Sequence, residues 1–271
     1  MIGGDYMSWG LFFLIIFILT IFIPILKNYN LNYRRTKMIK SIEKDEETRV
    51  ITLIHRQEIL SIIGIPFTRY INIEDSEEIL RAIRSTDKDR PIDLILHTPG
   101  GLVLAAEQIA MAINRHPSKV RVLVPHYAMS GGTLIALAAD EIIIDENAVL
   151  GPVDPQIAGY PAESILQVIE SKEMADIDDE TLIYGDVARK AIVQLENFLK
   201  SILDDKMDND EIIRLIENLC HGKYTHDFPL DSKVLESLNI KHSIGLPDKV
   251  YTLMELYPQP GRNRPSVYYV S

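Results

Sequence analysis

The chain has 271 residues, of which 46% are hydrophobic and 25% charged, the composition of an ordinary globular protein with one sizeable core. The formal net charge is −11, from 28 basic and 39 acidic residues, and this acidic balance gives no electrostatic footprint for nucleic acid. A single cysteine, Cys220, excludes an intrachain disulfide framework and a cysteine-based zinc site. We interpret it as a buried hydrophobic residue.

Residues 9–26 form an uncharged apolar run, WGLFFLIIFILTIFIPIL. At about 1.5 Å per residue the run is about 27 Å long, which is enough to cross a hydrocarbon core. A cleaved signal peptide is the alternative, but no Lys or Arg precedes the run and no small-residue cleavage site follows it. The sequence therefore predicts a transmembrane anchor over residues 1–26, with 9–26 in contact with lipid.

The charges around this anchor predict its orientation. Residues 1–40 contain five basic residues and one acidic residue, net +4, so residues 41–271 carry −15. All the basic ones follow the apolar run: Lys27, Arg34, Arg35, Lys37 and Lys40. Positive charge marks the cytoplasmic side of a membrane, so we expect a single-pass protein with its body in the cytoplasm.

After the anchor, the pattern indicates strands and a helix. Residues 49–55 (RVITLIH) predict a strand, and Ile71–Ile73 predicts a second, short one. Asp75 and Ser76, followed by EEILRAIRS, predict a capped amphipathic helix. The run 92–96 (IDLIL) is typical of a strand buried on both faces.

Two glycine-rich breaks follow, and each interrupts a strand and precedes a helix. The break at 98–101 precedes LVLAAEQIAMAINRH, which has helical spacing, and a buried strand at 120–124. The break at 129–132 precedes the helix TLIALAA and a third buried strand at 141–144. This alternation predicts a layered α/β domain with a mainly parallel sheet. Both breaks then lie at the carboxyl edge of the strands, where helix N-termini offer free N–H groups.

The remainder of the chain is predicted to be mostly helical, with helices at 161–170, 179–203 and 210–220, the last capped at Gly222. The tail LYPQPGRNRPSVYY predicts an extended strap. The sequence has no internal repeat and no second linker. We therefore divide it into an anchor (1–26), a juxtamembrane linker or short helix (27–48) and one domain (49–271).

Ser130 lies in the second break, between a buried strand and a helix. A nucleophilic hydroxyl benefits from that position because the turn exposes the side chain and the helix start supplies N–H groups. The N–H of Gly131 and the turn Gly100-Gly101 are then candidates for an oxyanion hole, which needs close approach of backbone. The alternative interpretation is a helix N-cap serine and two tight turns.

Several phrases together resemble a known family: HTPGG, AAEQIAMAI, VPHYAMSGGT, LGPVDPQ, DVARKAI, YTHDFP and LYPQPGRNRPSV, which span about residues 95–268. The set resembles the Clp-fold serine peptidases, which share the Clp/crotonase fold, and more specifically signal peptide peptidase A and its relatives. It most resembles the membrane-anchored SDH family of Clp-fold serine proteinases. This resemblance implies that Ser130 is the nucleophile and that the oxyanion hole consists of Gly100 or Gly101 together with Gly131.

The general base departs from the Clp pattern. Clp peptidases have a histidine about 25 residues after the serine, where this chain has Asp154, Pro155 and Gln156. Relatives of signal peptide peptidase A use a lysine 40–50 residues after the serine, which here implies Lys172 and a Ser-Lys dyad. A lysine acts as a base only if desolvation or a nearby cation lowers its pKa.

Other residues compete with Lys172 for the role of base. Lys190 lies on a long amphipathic helix, and its ordinary interpretation is a surface position. His97 and His126 end strands just before the glycine-rich turns, and His226 comes from the C-terminal region. We keep His126 and His226 as alternative bases.

The sequence predicts no metal site, because it contains neither HExxH nor CxxC, and no phosphate loop, because GxxxxGK[ST] is absent. We therefore expect an ATP-independent serine endopeptidase without a cofactor, acting on hydrophobic or membrane-derived peptides as a homo-oligomer. The alternatives are a non-catalytic membrane scaffold with the same fold and, more remotely, an acyl-CoA enzyme of the crotonase type.

Overall fold

The computed structural model describes residues 5–60 and 65–257. The helices are α1 (Asp5–Phe17), α2 (Ile23–Glu46), α3 (Ile73–Arg84), α4 (Val103–Asn114), α5 (Gly131–Leu137), α6 (Ala162–Glu170), α7 (Asp179–Leu203), α8 (Asn209–Cys220), α9 (Ser232–Ser237) and α10 (Asp248–Glu255). The strands are β1 (Arg49–Ile54), β2 (Gln57–Leu60), β3 (Ile65–Thr68), β4 (Ile92–His97), β5 (Val120–Val124), β6 (Tyr127–Ala128), β7 (Glu141–Ile144), β8 (Val149–Leu150), β9 (Gln156–Ile157), β10 (Tyr160–Pro161) and β11 (His242–Ile244).

A five-stranded parallel sheet in the order β1-β4-β5-β7-β11 forms the centre of the domain. Successive side chains of a strand point to opposite faces, and both faces are covered. Leu94 and Val122 belong to the larger core, which includes α4, α5, α7 and α8. Ile95 and Leu123 belong to a second core with α10 and the end of α2. Burial on both faces explains the continuous apolar runs of these strands, and the predicted α/β class with a mainly parallel sheet is confirmed.

The N-terminal helical segment continues from Asp5 to Glu46, with a π-helical turn at Ile18–Phe22 between α1 and α2. Pro24, two residues after this turn, has no N–H to donate within the helix. Within the described part of the chain, Trp9–Glu46 is the one helix long and apolar enough to cross a membrane. Its last turns approach the domain, where Ile42 is buried against the second core. The predicted linker thus ends as a helix attached to the sheet.

The strands predicted at 49–55, 92–96, 120–124 and 141–144 all form, as do the helices of the C-terminal half. For the first helix of the domain, the predicted N-terminal boundary is wrong. Asn72, rather than Asp75 or Ser76, is the N-cap of α3, and Asp75 completes a capping box with it. Ile71 forms an isolated bridge instead of a strand. The predicted strap at 256–269 lies almost entirely outside the described residues.

Candidate active site

Ser130 lies in a sharp turn between β6 and α5, with φ 51° and ψ −116°. An L-residue other than glycine rarely adopts a positive φ, and such strain is typical of a nucleophile presented between a strand and a helix. Hydrogen bonds hold the turn: the N–H of Met129 donates to the carbonyl of Thr98 (3.0 Å), and the N–H of Gly132 donates to that of Met129 (2.7 Å). The Ser130 side chain makes no capping hydrogen bond to the helix. The helix N-cap interpretation of this serine therefore lacks its characteristic interaction.

The turn Gly100-Gly101 contacts the serine turn. Both glycines have a positive φ, 102° and 156°, a conformation in which a Cβ is disfavoured. A Cβ on Gly100 would lie 2.8 Å from the Cβ of Ser130 and 3.3 Å from the amide nitrogen of Gly131. A Cβ on Gly101 would lie 2.3 Å from the carbonyl oxygen of Ile71. Only glycine fits at either position, so the two glycine-rich turns meet as the topology predicts.

The hydrogen bonds distinguish the two glycine amides. The N–H of Gly100 donates to the hydroxyl of Thr98 at 3.2 Å and is therefore engaged. Gly101 is paired with Ile71 in a parallel bridge, in which the N–H of Ile71 donates to Gly100 and the N–H of Leu102 donates to Ile71. That arrangement directs the N–H of Gly101 away from Ile71.

A Cβ on Gly131 would lie 3.7 Å from the amide nitrogen of Gly101, so the two amides are neighbours beside Ser130. Within residues 5–60 and 65–257 neither of these N–H groups donates to an acceptor. Of the backbone donors implied by the resemblance, Gly101 and Gly131 are thus the pair with free N–H groups, as an oxyanion hole requires.

His226 is brought to the same cleft by the loop between α8 and α9. Two backbone contacts hold the two ends of this loop near β8. The N–H of Val153, after β8, donates to the carbonyl of Leu219 in α8 (3.1 Å), and Leu150 of β8 forms an antiparallel bridge with Leu230. The imidazole Nδ1 of His226 lies 2.8 Å from Oδ1 of Asp154.

The His226–Asp154 contact has the geometry of a base and its orienting carboxylate. The Asp154 side chain is 2% exposed and that of His226 is 37% exposed. Gln156 donates from Nε2 to the other carboxylate oxygen, Oδ2, at 2.6 Å. The hydrogen bond that His226 donates to Asp154 raises the pKa of His226 above its ordinary value, and partial burial opposes this effect. When Nδ1–H donates to the carboxylate, Nε2 is the atom left to accept a proton.

A cleft of about 1010 Å³ contains these groups, and Ser130, Gly101, Gly131, Asp154 and His226 all line it. Lys172 does not belong to its described lining. The structure has Lys172 exposed just after α6, in water rather than in the apolar surroundings that a lysine base requires. Ser130 and His226 thus line the same cleft, and Lys172 lies outside its described lining.

The remaining candidates also lie outside the described lining of the cleft. Lys190 is exposed on α7 and pairs with Asp186 at 2.5 Å. His97 is buried, and burial lowers its pKa to about 3, with the nearby positive charge of Arg56 acting in the same direction. The exposed ring of His126 stacks on that of His97, with centroids 5.7 Å apart.

Sequence reasoning did not single out Asp154 as a candidate site residue, although the spacing from Ser130 leads directly to it. The residue is acidic where Clp peptidases have a histidine, and the histidine is supplied 72 residues later. That histidine, His226, lies in the sequence phrase YTHDFP. The described residues contain no group of three or more His, Cys, Asp or Glu side chains placed to hold a metal ion.

Comparison with known proteins assigns the chain to a family. A family model described as ClpP-like SDH-type serine proteinase matches residues 1–271. The chain belongs to this family. It is 53% identical over 269 residues to one uncharacterised protein of Methanocaldococcus jannaschii, covering 99% of this chain and 91% of that protein. A second uncharacterised protein of the same organism is 51% identical over 262 residues, covering 97% and 90%.

Among solved structures, a ClpP1 mutant from Listeria monocytogenes matches with a TM-score of 0.46 and 17% sequence identity. The match covers 77% of this chain and 98% of that chain. Family membership therefore rests on the family model and the sequence relatives. The mechanism has to be derived from the residues of this chain.

Proposed function

We propose that the protein is a serine endopeptidase in which Ser130 is the nucleophile, His226 the general base and Asp154 the residue that orients the base. The observation that carries this proposal is the pairing of His226 with the buried Asp154 in the cleft that Ser130 lines. The strained backbone at Ser130 supports the same role, because strain of this kind persists where the turn has a function. Family membership supports peptidase chemistry.

The reaction follows from the chemistry of these groups. Nε2 of His226 takes the proton of the Ser130 hydroxyl as its oxygen attacks the carbonyl carbon of the scissile peptide bond. The negative charge that forms on the carbonyl oxygen is stabilised by the N–H groups of Gly101 and Gly131. The imidazolium then returns its proton to the leaving amine, and water releases the acyl group by the same steps in reverse order. Asp154 stays ionised and stabilises the imidazolium throughout.

A Ser-Lys dyad with Lys172 is the competing mechanism, and two matched variants separate them. We expect His226→Ala to reduce turnover of a fluorogenic peptide by about 10²–10⁴-fold, the range for a general base. We expect Lys172→Met to keep its turnover because that side chain is exposed outside the cleft. The reverse result would establish the dyad and overturn the role of His226.

Labelling with a fluorophosphonate tests the nucleophile separately. We expect the full-length protein to be labelled and Ser130→Ala to be unlabelled. An unlabelled, correctly folded wild-type protein would instead indicate the non-catalytic scaffold. Exposed, apolar residues at the start of α4 support hydrophobic peptides as substrates, since Val103 and Leu104 line the cleft and are 52% and 60% exposed.

We further propose that residues 9–26 anchor the protein in a membrane with the domain in the cytoplasm. The apolar window of this helix has no part buried inside the protein, and the basic residues follow it. The anchor would hold the cleft near peptides that leave the bilayer. A reporter fused at Ser271 tests the orientation: activity in the cytoplasm supports it, and activity only outside the cytoplasm contradicts it.

A further inference from the structure

Glu107 is a carboxylate in the cleft that the proposed reaction does not use. It lies on α4, one helical turn after Val103 and Leu104, and all three line the cleft with Ser130. Along the described chain, no ion pair or side-chain hydrogen bond involves Glu107. A partly buried carboxylate without a partner is costly, which makes this position unusual for a merely structural residue.

The described lining of the cleft around Glu107 combines apolar side chains with uncharged amides and holds no Lys or Arg. Leu134, Leu195 and Phe198 are among the apolar side chains. Partial burial raises the pKa of Glu107 above its ordinary value, which agrees with a carboxylate that has lost water and gained no cation. The histidine of the cleft, His226, is already paired with Asp154.

We infer that Glu107 forms a subsite for a basic side chain of the substrate, so that the cleft selects peptides with a Lys or Arg beside apolar residues. This inference rests on the proposed peptidase function and names its substrate class. The aliphatic stem of a lysine or arginine packs on apolar walls while its charged end pairs with a carboxylate. Leu104 and Phe198 provide such walls, and Glu107 provides the carboxylate. The chemistry fits an apolar segment that ends in basic residues.

Binding to the inactive protein tests the subsite independently of catalysis. We would measure fluorescence anisotropy of three peptides that are identical except for Lys, norleucine or Glu at one position, with that position moved along the peptide. Full-length Ser130→Ala serves as the receptor. We expect Lys to bind about 10-fold more tightly than norleucine at one position, the scale of a hydrogen bond to a charged group. In Ser130→Ala/Glu107→Gln this preference should disappear, and in Ser130→Ala/Glu107→Lys the Glu peptide should bind best.

Ser130→Ala/Glu217→Gln is the matched control, because Glu217 is an exposed glutamate on α8 that does not line the cleft. It should retain the full preference for Lys. Equal affinity for Lys and norleucine at every position, or a preference that survives Glu107→Gln, overturns the inference. Hydrolysis by the wild type is then measured with the same peptides. A Glu107-dependent preference in binding without any hydrolysis overturns the peptidase and leaves the subsite standing, so the two failures are distinguishable.

Discussion

Nδ1 of His226 lies 2.8 Å from Oδ1 of Asp154, although 72 residues separate them in the chain. The carboxylate is almost completely buried, while the imidazole is partly open to the cleft. The pair therefore has one end fixed in the protein and the other partly exposed in the cleft. This asymmetry fits the proposed role of His226, because a base needs a fixed orientation and an accessible imidazole.

The first prediction concerns the pH dependence of this pair. A histidine base works when neutral, and the hydrogen bond to Asp154 raises the pKa of His226 above its ordinary 6.5. Activity should therefore rise with pH through a value above 6.5. In Asp154→Asn the rise should move to lower pH, and kcat should fall by about 10³–10⁴-fold because the imidazole loses its orientation.

The pH profile of kcat/KM measures both effects of Asp154→Asn. Asp87→Asn is the control, since Asp87 is exposed in the turn before β4 and its profile should match the wild type. An Asp154→Asn protein with an unshifted pH limb would show that a group other than His226 titrates in the reaction.

The second prediction concerns the strained turn at Ser130. Its φ of 51° costs about 1–3 kcal/mol for a residue with a Cβ, and glycine avoids that cost. Glycine loses about 0.5–1 kcal/mol more backbone entropy on folding than alanine. Ser130→Gly should consequently be about 1 kcal/mol more stable than Ser130→Ala, and both should be inactive.

Thermal unfolding of the two variants measures this difference. The same pair of changes at Ser201, inside α7, should give the opposite order, because glycine destabilises a helix interior. Equal or lower stability of Ser130→Gly would mean that the turn stores no strain.

Much of the sheet could be predicted because its strands are buried on both faces. Continuous apolar runs such as 92–96 and 120–124 have few alternative structures, and the glycine-rich breaks between them mark the strand ends. The C-terminal edge strand β11 was missed because it is short and mostly exposed, so its sequence shows neither an apolar run nor alternation. The hairpin β2–β3 was missed as well.

In the candidate site, the residues that lie close together in sequence could be predicted, and the pair that is distant in sequence could not. Ser130 and the glycines each lie within a single strand-turn-helix unit, so motif and topology identify them. The pairing of His226 with Asp154 depends on a loop between two helices and on its bridge to β8, which no local pattern encodes. Counting residues from Ser130 led to Lys172, because a distance along the chain does not show whether a side chain is buried or exposed.

The third prediction concerns two buried residues behind the turn Gly100-Gly101. The hydroxyl of Thr98 accepts the N–H of Gly100 at 3.2 Å and lies 2.9 Å from Nδ1 of His55. Both side chains are buried, so they hold the turn without reaching the cleft. Thr98→Val removes the hydroxyl at nearly constant volume and should lower kcat by about 10-fold through displacement of the Gly101 amide, with little change in KM.

Thr98→Ser tests whether this effect comes from the hydroxyl, since it keeps that group and should restore most of the turnover. A Thr98→Val protein with wild-type kcat would show that the bridge between Ile71 and Gly101 is sufficient to position the turn. Equal losses in the two variants would point to packing of the Thr98 methyl group instead.

The last prediction concerns the ion pair that attaches the N-terminal helix to the sheet. Asp93 is completely buried and accepts two hydrogen bonds from Arg121, each 2.6 Å long, and a third from the hydroxyl of Thr48 at 2.8 Å. Arg121 also reaches Glu46, the last residue of α2, at 2.9 Å. These contacts raise the pKa of Arg121 further above its already high ordinary value, and the hydrogen bond to Asp93 has the largest effect. The arginine therefore stays charged.

Removal of one partner leaves a poorly solvated charge behind. Asp93→Ala should therefore lower the free energy of unfolding by about 3–5 kcal/mol. Glu46→Gln should cost less than about 1 kcal/mol, because that contact is partly exposed. Replacing both partners of the buried pair, in Asp93→Leu/Arg121→Met, should recover much of the loss, since two apolar side chains leave no unpaired charge in the sheet. Denaturant unfolding of the full chain in detergent gives all three values. A double variant as unstable as Asp93→Ala would mean that the loss comes from the buried hydroxyl of Thr48, which then has no acceptor at position 93, rather than from the unpaired charge of Arg121.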